Sequence, residues 1–438
     1  MRKLLVLFTL TILASVHAQK QIFFRAEFAA RRAKLMAQIG PDGVGILLGA
    51  ETPYAYVRFR QDNNFFYFTG VEVPDAVAVL DGATQRTTLY VPERSSVSIA
   101  ADKRVRPGAE GEAASGLETV LSRTQLSDGL TKALSDPKVK SVHLILAPEE
   151  TAQVSRDQAS AVLRRRTADA WDGRLSRARN LERIIKEKFP ALAVTDLTQF
   201  VDEQRWVKSA SEIAALRECG RIGAMGFRDA VAGTKPGMFE YQIAALATGR
   251  FLLEGASDIA FMPIAASGEN TLEFHYEANN RKMESGDVVL LDFAPEYQYY
   301  VTDITRTWPV GGRFTDDQLK MYNCVLDAHK QTIAAVKPGV TFAQLTAKIR
   351  EVFTQHGFGS NMVGGAGHFV GMSVHDPGFY NRPFVAGVVF NVEPLFVDRT
   401  KKIHMRLEDT IVVTATGNEN LTAGMPCEVE PLYGLMKR

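Results

Sequence analysis

At 438 residues the chain is long enough to bury sizeable cores and to divide into two or three domains. A hydrophobic content of 46% against 23% charged residues is that of a globular protein, not a disordered or fibrous one. The net charge of +1 leaves no basic surplus for nucleic acid or an anionic membrane.

The chain opens with Arg2 and Lys3, an apolar stretch over 4–13, and then Ala14-Ser15-Val16-His17-Ala18. That order is the one of a secretory signal peptide. Cleavage after Ala18 is expected, and with it a secreted or periplasmic protein without a lasting membrane anchor. An uncut N-terminal anchor is the other reading, although the stretch is short for a bilayer. No other stretch is expected to cross a membrane. The three cysteines, Cys219, Cys324 and Cys427, match neither a zinc spacing nor a disulfide framework. They are expected as buried free thiols, with at most one pair able to bridge after export.

Residues 19–204 read as an α/β domain. A helix over 23–39 stops at Gly40-Pro41, and strands are expected over 43–48, 65–68, 76–80, 87–91, 142–146 and 191–194. No phosphate-cradling glycine motif is present. Arg164, Arg165, Arg166, Arg174, Arg177 and Arg179 read as a solvated face. The segment 60–70 is a polar turn leading into an aromatic strand that stops at Gly70.

Residues 205–438 read as an α+β domain with an internal repeat. A helix beginning near Ser209 runs to Val231 and stops before Lys235-Pro236-Gly237; a second covers 240–253. A hundred residues later Thr315 caps a helix that stops at Lys337-Pro338-Gly339, and another covers 342–353.

Between them an apolar strand, 288–291, ends on Asp292. A turn at Ala294-Pro295-Glu296 follows, and the chain returns to Asp303 before a second β-rich run over 304–310. Read as a hairpin, this brings Asp292 and Asp303 together. Read alone, both Asp residues are more at home in surface turns, where Asp usually sits. The repeat adds weight, because aligning Gly286 with Gly387 sets Asp292 against Glu393 and leaves Asp303 with a counterpart in Glu408. A two-fold arrangement of the halves gathers all four acids.

Histidines flank the same strands: His368 in a glycine-flanked run, His375 seven residues on, and His275 ahead of Asp292. Four carboxylates and an imidazole suit Mn²⁺, Co²⁺ or Zn²⁺. They are too many for one tetrahedral ion and fit two divalent ions about 3.5–4 Å apart that activate a water. On the residues alone this is a metal-assisted hydrolase of unknown substrate.

The ordered set Asp292, Asp303, His368, Glu393, Glu408, the run Asp303-Ile304-Thr305-Arg306-Thr307 and the tail Gly417-Asn418-Glu419-Asn420-Leu421-Thr422 resemble the pita-bread metallopeptidase family. That family includes aminopeptidase P, prolidase and methionine aminopeptidase. The resemblance covers about 207–430, and the 60–70 segment is similar to the N-terminal domain of aminopeptidase P and prolidase. It implies a pita-bread fold with two-fold pseudosymmetry and a dinuclear centre, usually manganese. It also implies hydrolysis of an N-terminal Xaa-Pro bond through a metal-bridging hydroxide, and dimers or tetramers.

By the same resemblance Asp292 and Asp303 hold one ion. Asp303 and Glu408 bridge to the second, which His368 and Glu393 complete. Glu393 is also the general base, His275 and His375 serve the oxyanion and orient the peptide, and Arg406 aligns the acidic ligands. The chain departs from the family pattern at Gly364, where a further histidine is frequent, at Phe293-Ala294-Pro295, and at Leu395-Phe396. None is a ligand, and all bear on the substrate pocket. The alternatives are a prolidase or broader dipeptidase on the same site, a metal-free hydrolase of the creatinase type, and a non-catalytic binding module.

Overall fold

The computed structural model describes residues 22–94 and 104–437; the expected signal segment lies outside them. The first helix, Arg25–Ile39, turns its apolar face inward and ends on Gly40, whose φ of 78° a side chain would resist. Six strands follow: β1 (Gly43–Leu48), β2 (Val77–Asp81), β3 (Arg86–Val91), β4 (Thr119–Ser122), β5 (Ser141–Leu144) and β6 (Ala193–Asp196). They form one mixed sheet in the order β4-β3-β2-β1-β5-β6. β1 to β3 are an antiparallel meander, and the outer pairs are parallel.

The strand expected over 65–68 is instead a helix, Asn63–Thr69, capped by Asp62 accepting from Phe65 N at 2.9 Å and closed by Gly70 at φ 65°. All seven residues are buried, so no polar face exposes the helical period, and a short apolar run fits either structure. The arginine cluster lies on the outside: the helix Arg156–Ala168 buries none of its residues, and Arg174 pairs with Asp172.

The helix Thr198–Trp206 carries the chain onward, so the expected division after residue 204 falls in its last turn. The second domain is built twice. Ala210–Gly233 begins with a capping box between Ser209 and Glu212, and Asp316–Ala335 with one between Thr315 and Gln318. Gly237 and Gly339, at φ 92° and 90°, each donate a backbone N–H at 2.8 Å, to Met283 and Phe384. The paired helices Glu240–Leu253 and Phe342–Gln355 complete the layer that covers the strands. One core runs through both halves, with Phe227, Phe251, Trp308, Tyr322, Phe353 and Phe390 fully buried in it.

Beneath the helices lie β7 (Asp258–Ile259), β8 (Ile264–Ser267), β9 (Val288–Asp292), β10 (Pro295–Tyr297), β11 (Tyr300–Val301) and β12 (Thr305–Pro309). The second half supplies β13 (Met362–Val363), β14 (Val389–Val392), β15 (Leu395–Asp398), β16 (Ile403–Arg406), β17 (Asp409–Val413) and β18 (Asn418–Asn420). β9 to β12 form one long hairpin with a single register, from Asp292↔Thr305 to Tyr297↔Tyr300. The expected turn at Ala294-Pro295-Glu296 is therefore ladder. The true tip is Gln298-Tyr299, both left-handed (φ 48° and 71°), as a type I′ turn requires.

The second half repeats this hairpin with Leu395↔Arg406 and Val392↔Asp409. Its register corrects the alignment of acids. Asp292 does correspond to Glu393, but Glu408 corresponds to Thr305, and Asp303 corresponds to Arg406. The two halves meet where Thr305 and Glu408 exchange backbone hydrogen bonds of 3.3 and 3.1 Å. All three cysteines are free and buried, and no described helix is long and apolar enough to cross a membrane.

Candidate metal centre

Alternation along the two hairpins aims Asp292, Asp303, Glu393 and Glu408 at the seam between the halves. Asp303, His368 and Glu408 each offer a ligand atom within 4.8 Å of the others. His368 Nδ1 donates to Phe369 O at 3.2 Å, which leaves the Nε2 lone pair facing Asp303 Oδ2 at 3.4 Å. Arg406 ties in the remaining acids: 2.5 Å to Asp292, 3.8 Å to Glu393 and 3.9 Å to Glu408. The structure thus gathers Asp292, Asp303, His368, Glu393, Glu408 and Arg406 in one place.

The cluster carries more negative charge than it balances. Burial, and then repulsion from Asp292 and Glu393, pushes the Asp303 carboxyl well above the usual carboxylate range. Glu408 is raised by burial and by Asp303, Glu393 and Asp292. Burial opposes the charge on Arg406, but Asp292, Glu408 and Glu393 outweigh it and raise the guanidinium further. One arginine cannot neutralise four acids. Among the described residues, Asp292 Oδ1 and Asp303 Oδ1 are buried without any hydrogen-bond partner. Orphaned carboxylate oxygens are costly unless a cation takes them. With an imidazole nitrogen beside them, this donor set fits hard divalent ions.

The other two histidines are more open to solvent than the cluster itself. The His375 ring lies 3.9 Å from that of His368, and its Nδ1 is 3.3 Å from Asp157 Oδ2 of the first domain. Burial and His368 lower its pKa to about 4 against the pull of Asp157, so the ring is neutral at pH 7. His275 is exposed on the loop after the turn Gly268–Leu272 and adds to that lowering. Gly364 is left-handed at φ 73°, where a side chain is disfavoured, and a Cβ there would meet only Leu395.

Three polar groups at the site escaped the sequence reading. Asn391 Nδ2 reaches His368 Nε2 at 2.7 Å and also Glu408, while Asn391 Oδ1 accepts from His368 N at 2.5 Å. Thr305 Oγ1 donates to Glu408 Oε2 at 2.5 Å. Asp157 meets His375 across the domain boundary. Asn391 was findable as the lone amide in the apolar strand β14. Nothing local marks Thr305 or Asp157.

Residues 214–415 match the model of metallopeptidase family M24, and residues 28–143 match that of the aminopeptidase P N-terminal domain. The chain is 31% identical to Xaa-Pro aminopeptidase of Escherichia coli K12, over 94% of this chain and 98% of that one. It is 28% identical to mitochondrial intermediate cleaving peptidase 55 of Arabidopsis thaliana, over 94% and 82%. The solved structure of zinc-substituted E. coli aminopeptidase P in complex with product superposes with a TM-score of 0.78 at 28% identity, covering 95% of this chain and 98% of that one. Both domains and the doubled hairpin are thus shared, and the chain belongs to metallopeptidase family M24 in its two-domain, pita-bread aminopeptidase P form.

Proposed function

We propose that the chain is a dinuclear aminopeptidase that hydrolyses the Xaa-Pro bond at the N-terminus of peptides. The observation that carries this reading is the convergence of four acids and His368 on two orphaned carboxylate oxygens. Asp292, Asp303, His368, Glu393 and Glu408 would hold two divalent ions, with manganese the expected metal. When bound, the ions supply Lewis acidity toward a water and the scissile carbonyl.

The chain's own groups do the rest. The Glu393 side chain is 18% exposed, against 9% for Asp292, 6% for Asp303 and 1% for Glu408. It is the acid most open to a reacting water and takes the water's proton. The same carboxyl can return that proton to the departing proline nitrogen. Neutral His375 and exposed His275 hydrogen-bond the peptide at the mouth. Arg406 keeps the acidic ligands aligned.

A broader dipeptidase or prolidase activity is the second reading, motivated by Gly364, which leaves no side chain where a further histidine is frequent in the family. Export through residues 1–18, release without an anchor, and assembly as a dimer or tetramer belong to the same proposal. The test is release of free amino acid from Xaa-Pro, Xaa-Pro-Yaa and Xaa-Ala-Yaa peptides with Mn²⁺. Turnover of the proline tripeptides that a chelator abolishes supports the first reading. Equal turnover without proline supports the second. No turnover of any of them sinks both.

A further inference from the structure

Behind the metal cluster, on the opposite face of the same strands, sits a second charged pair that also spans the seam. Side chains alternate along a strand, so Arg306 and Asp409 point away from Thr305 and Glu408. Arg306 is fully buried. Its Nη1 donates to Glu408 O at 2.7 Å and Thr305 O at 3.0 Å. Its Nη2 donates to Asp409 Oδ1 at 2.7 Å and Met425 O at 2.6 Å. The guanidinium thus grips both carbonyls of the bridge at which the two halves join.

Asp409 is held as firmly. Thr422 Oγ1 donates to Oδ1 at 2.6 Å and Asn420 Nδ2 to Oδ2 at 2.9 Å, with His329 Nε2 at 3.3 Å. Cys427 completes a buried His329-Asp409-Cys427 group. Arg306 already balances its one charge, so the group needs no ion to be neutral. Asp409 follows Glu408 directly, so a single peptide unit separates the two, and Arg306 bonds both the Glu408 carbonyl and the Asp409 carboxylate.

We propose that the Arg306–Asp409 pair is a positioning device for Glu408: it locks the seam from behind and thereby sets how tightly the front face binds its metal ions. The proposal rests on Glu408 being a metal ligand. Neither Arg306 nor Asp409 touches the substrate, so the pair should govern metal affinity and not peptide recognition.

The experiment is Mn²⁺ titration calorimetry on the full chain, with Arg306→Lys, which keeps the charge and loses the fork, and Asp409→Asn. Thr422→Val removes one hydrogen bond to Asp409 and serves where the others fail to fold. Expected is a 10- to 100-fold weaker Mn²⁺ affinity, a KM for Xaa-Pro-Yaa peptide at saturating Mn²⁺ within about twofold of wild type, and weakened spin coupling between bound Mn²⁺ ions in EPR. Unchanged Mn²⁺ affinity and coupling in a folded variant overturns the proposal. Glu408→Gln is the control for the underlying reading: if it binds Mn²⁺ as wild type does, the ligand assignment fails instead.

Discussion

The Tyr299 ring lies flat on Phe66, with centroids 3.6 Å apart and planes 6° from parallel. Phe66 belongs to the first domain, and Tyr299 is the left-handed tip of the hairpin that carries Asp292 at its base and Asp303 on its return arm. The Tyr299 hydroxyl donates to Glu72 at 3.1 Å and accepts from Gln61 N at 3.1 Å, and Arg60 lies over the ring while pairing with Glu296 at 3.0 Å. The first domain therefore clamps a turn that disfavours a non-glycine residue. Phe66→Ala should cost about 3–5 kcal/mol by leaving a cavity, and Tyr299→Phe about 1–2 kcal/mol by stranding the Gln61 N–H. Urea unfolding measures both. A Phe66→Ala cost below that of Tyr299→Phe would show that the stack does not hold the tip.

Among the described residues, Arg406 is the one cation paired with the four-acid cluster. Arg406→Met should destabilise the metal-free protein by roughly 3–5 kcal/mol, since it leaves buried carboxylates unpaired. Added Mn²⁺ should recover much of that loss, because the ions replace the missing charge. Melting curves in chelator and in Mn²⁺ decide it. Equal losses in both conditions would mean that Arg406 acts only through packing.

The raised carboxyls give metal-free protein a distinctive pH response. Asp303 and Glu408 bind protons more tightly folded than unfolded, so each favours the folded state less as pH rises above the unfolded value near 4. Chelated wild type should therefore lose stability as the pH rises above the unfolded carboxylate value of about 4 relative to its Asp303→Asn variant. Mn²⁺ should abolish the difference for wild type. Parallel stability curves for the two chelated proteins would contradict the assignment of these groups.

Glu393 is the most open of the acids, and the proposed proton carrier. Glu393→Gln keeps its shape and removes the basic oxygen, so kcat should fall by at least about 10²-fold, with KM within a few-fold. Single-turnover assays with a proline tripeptide test this. A kcat within tenfold of wild type would move the base elsewhere.

Much of this architecture was legible along the chain. The helix pairs with their starts near Ser209 and Thr315, the Lys-Pro-Gly stops and the acids at strand ends are local patterns, and local patterns depend on neighbours a few residues apart. The helix Asn63–Thr69 was not legible, because burial on every side removes the polar face that would reveal its period. The doubling of the domain and the match of Asp292 with Glu393 were visible, but the counterpart of Asp303 was not. That Arg406, and not Glu408, stands where Asp303 does follows from ladder register, which a sequence repeat reports only to within a residue or two.

Order and spacing along the chain thus settled which groups exist and that two like halves carry them. Only tertiary structure decided that Asn391 and Thr305 hold Glu408 and that Asp157 reaches His375 from the other domain. Those contacts join residues from 17 to 218 positions apart by the numbering. Their geometry is set by which rungs align across a seam and by how two domains pack, quantities that no local run of residues encodes.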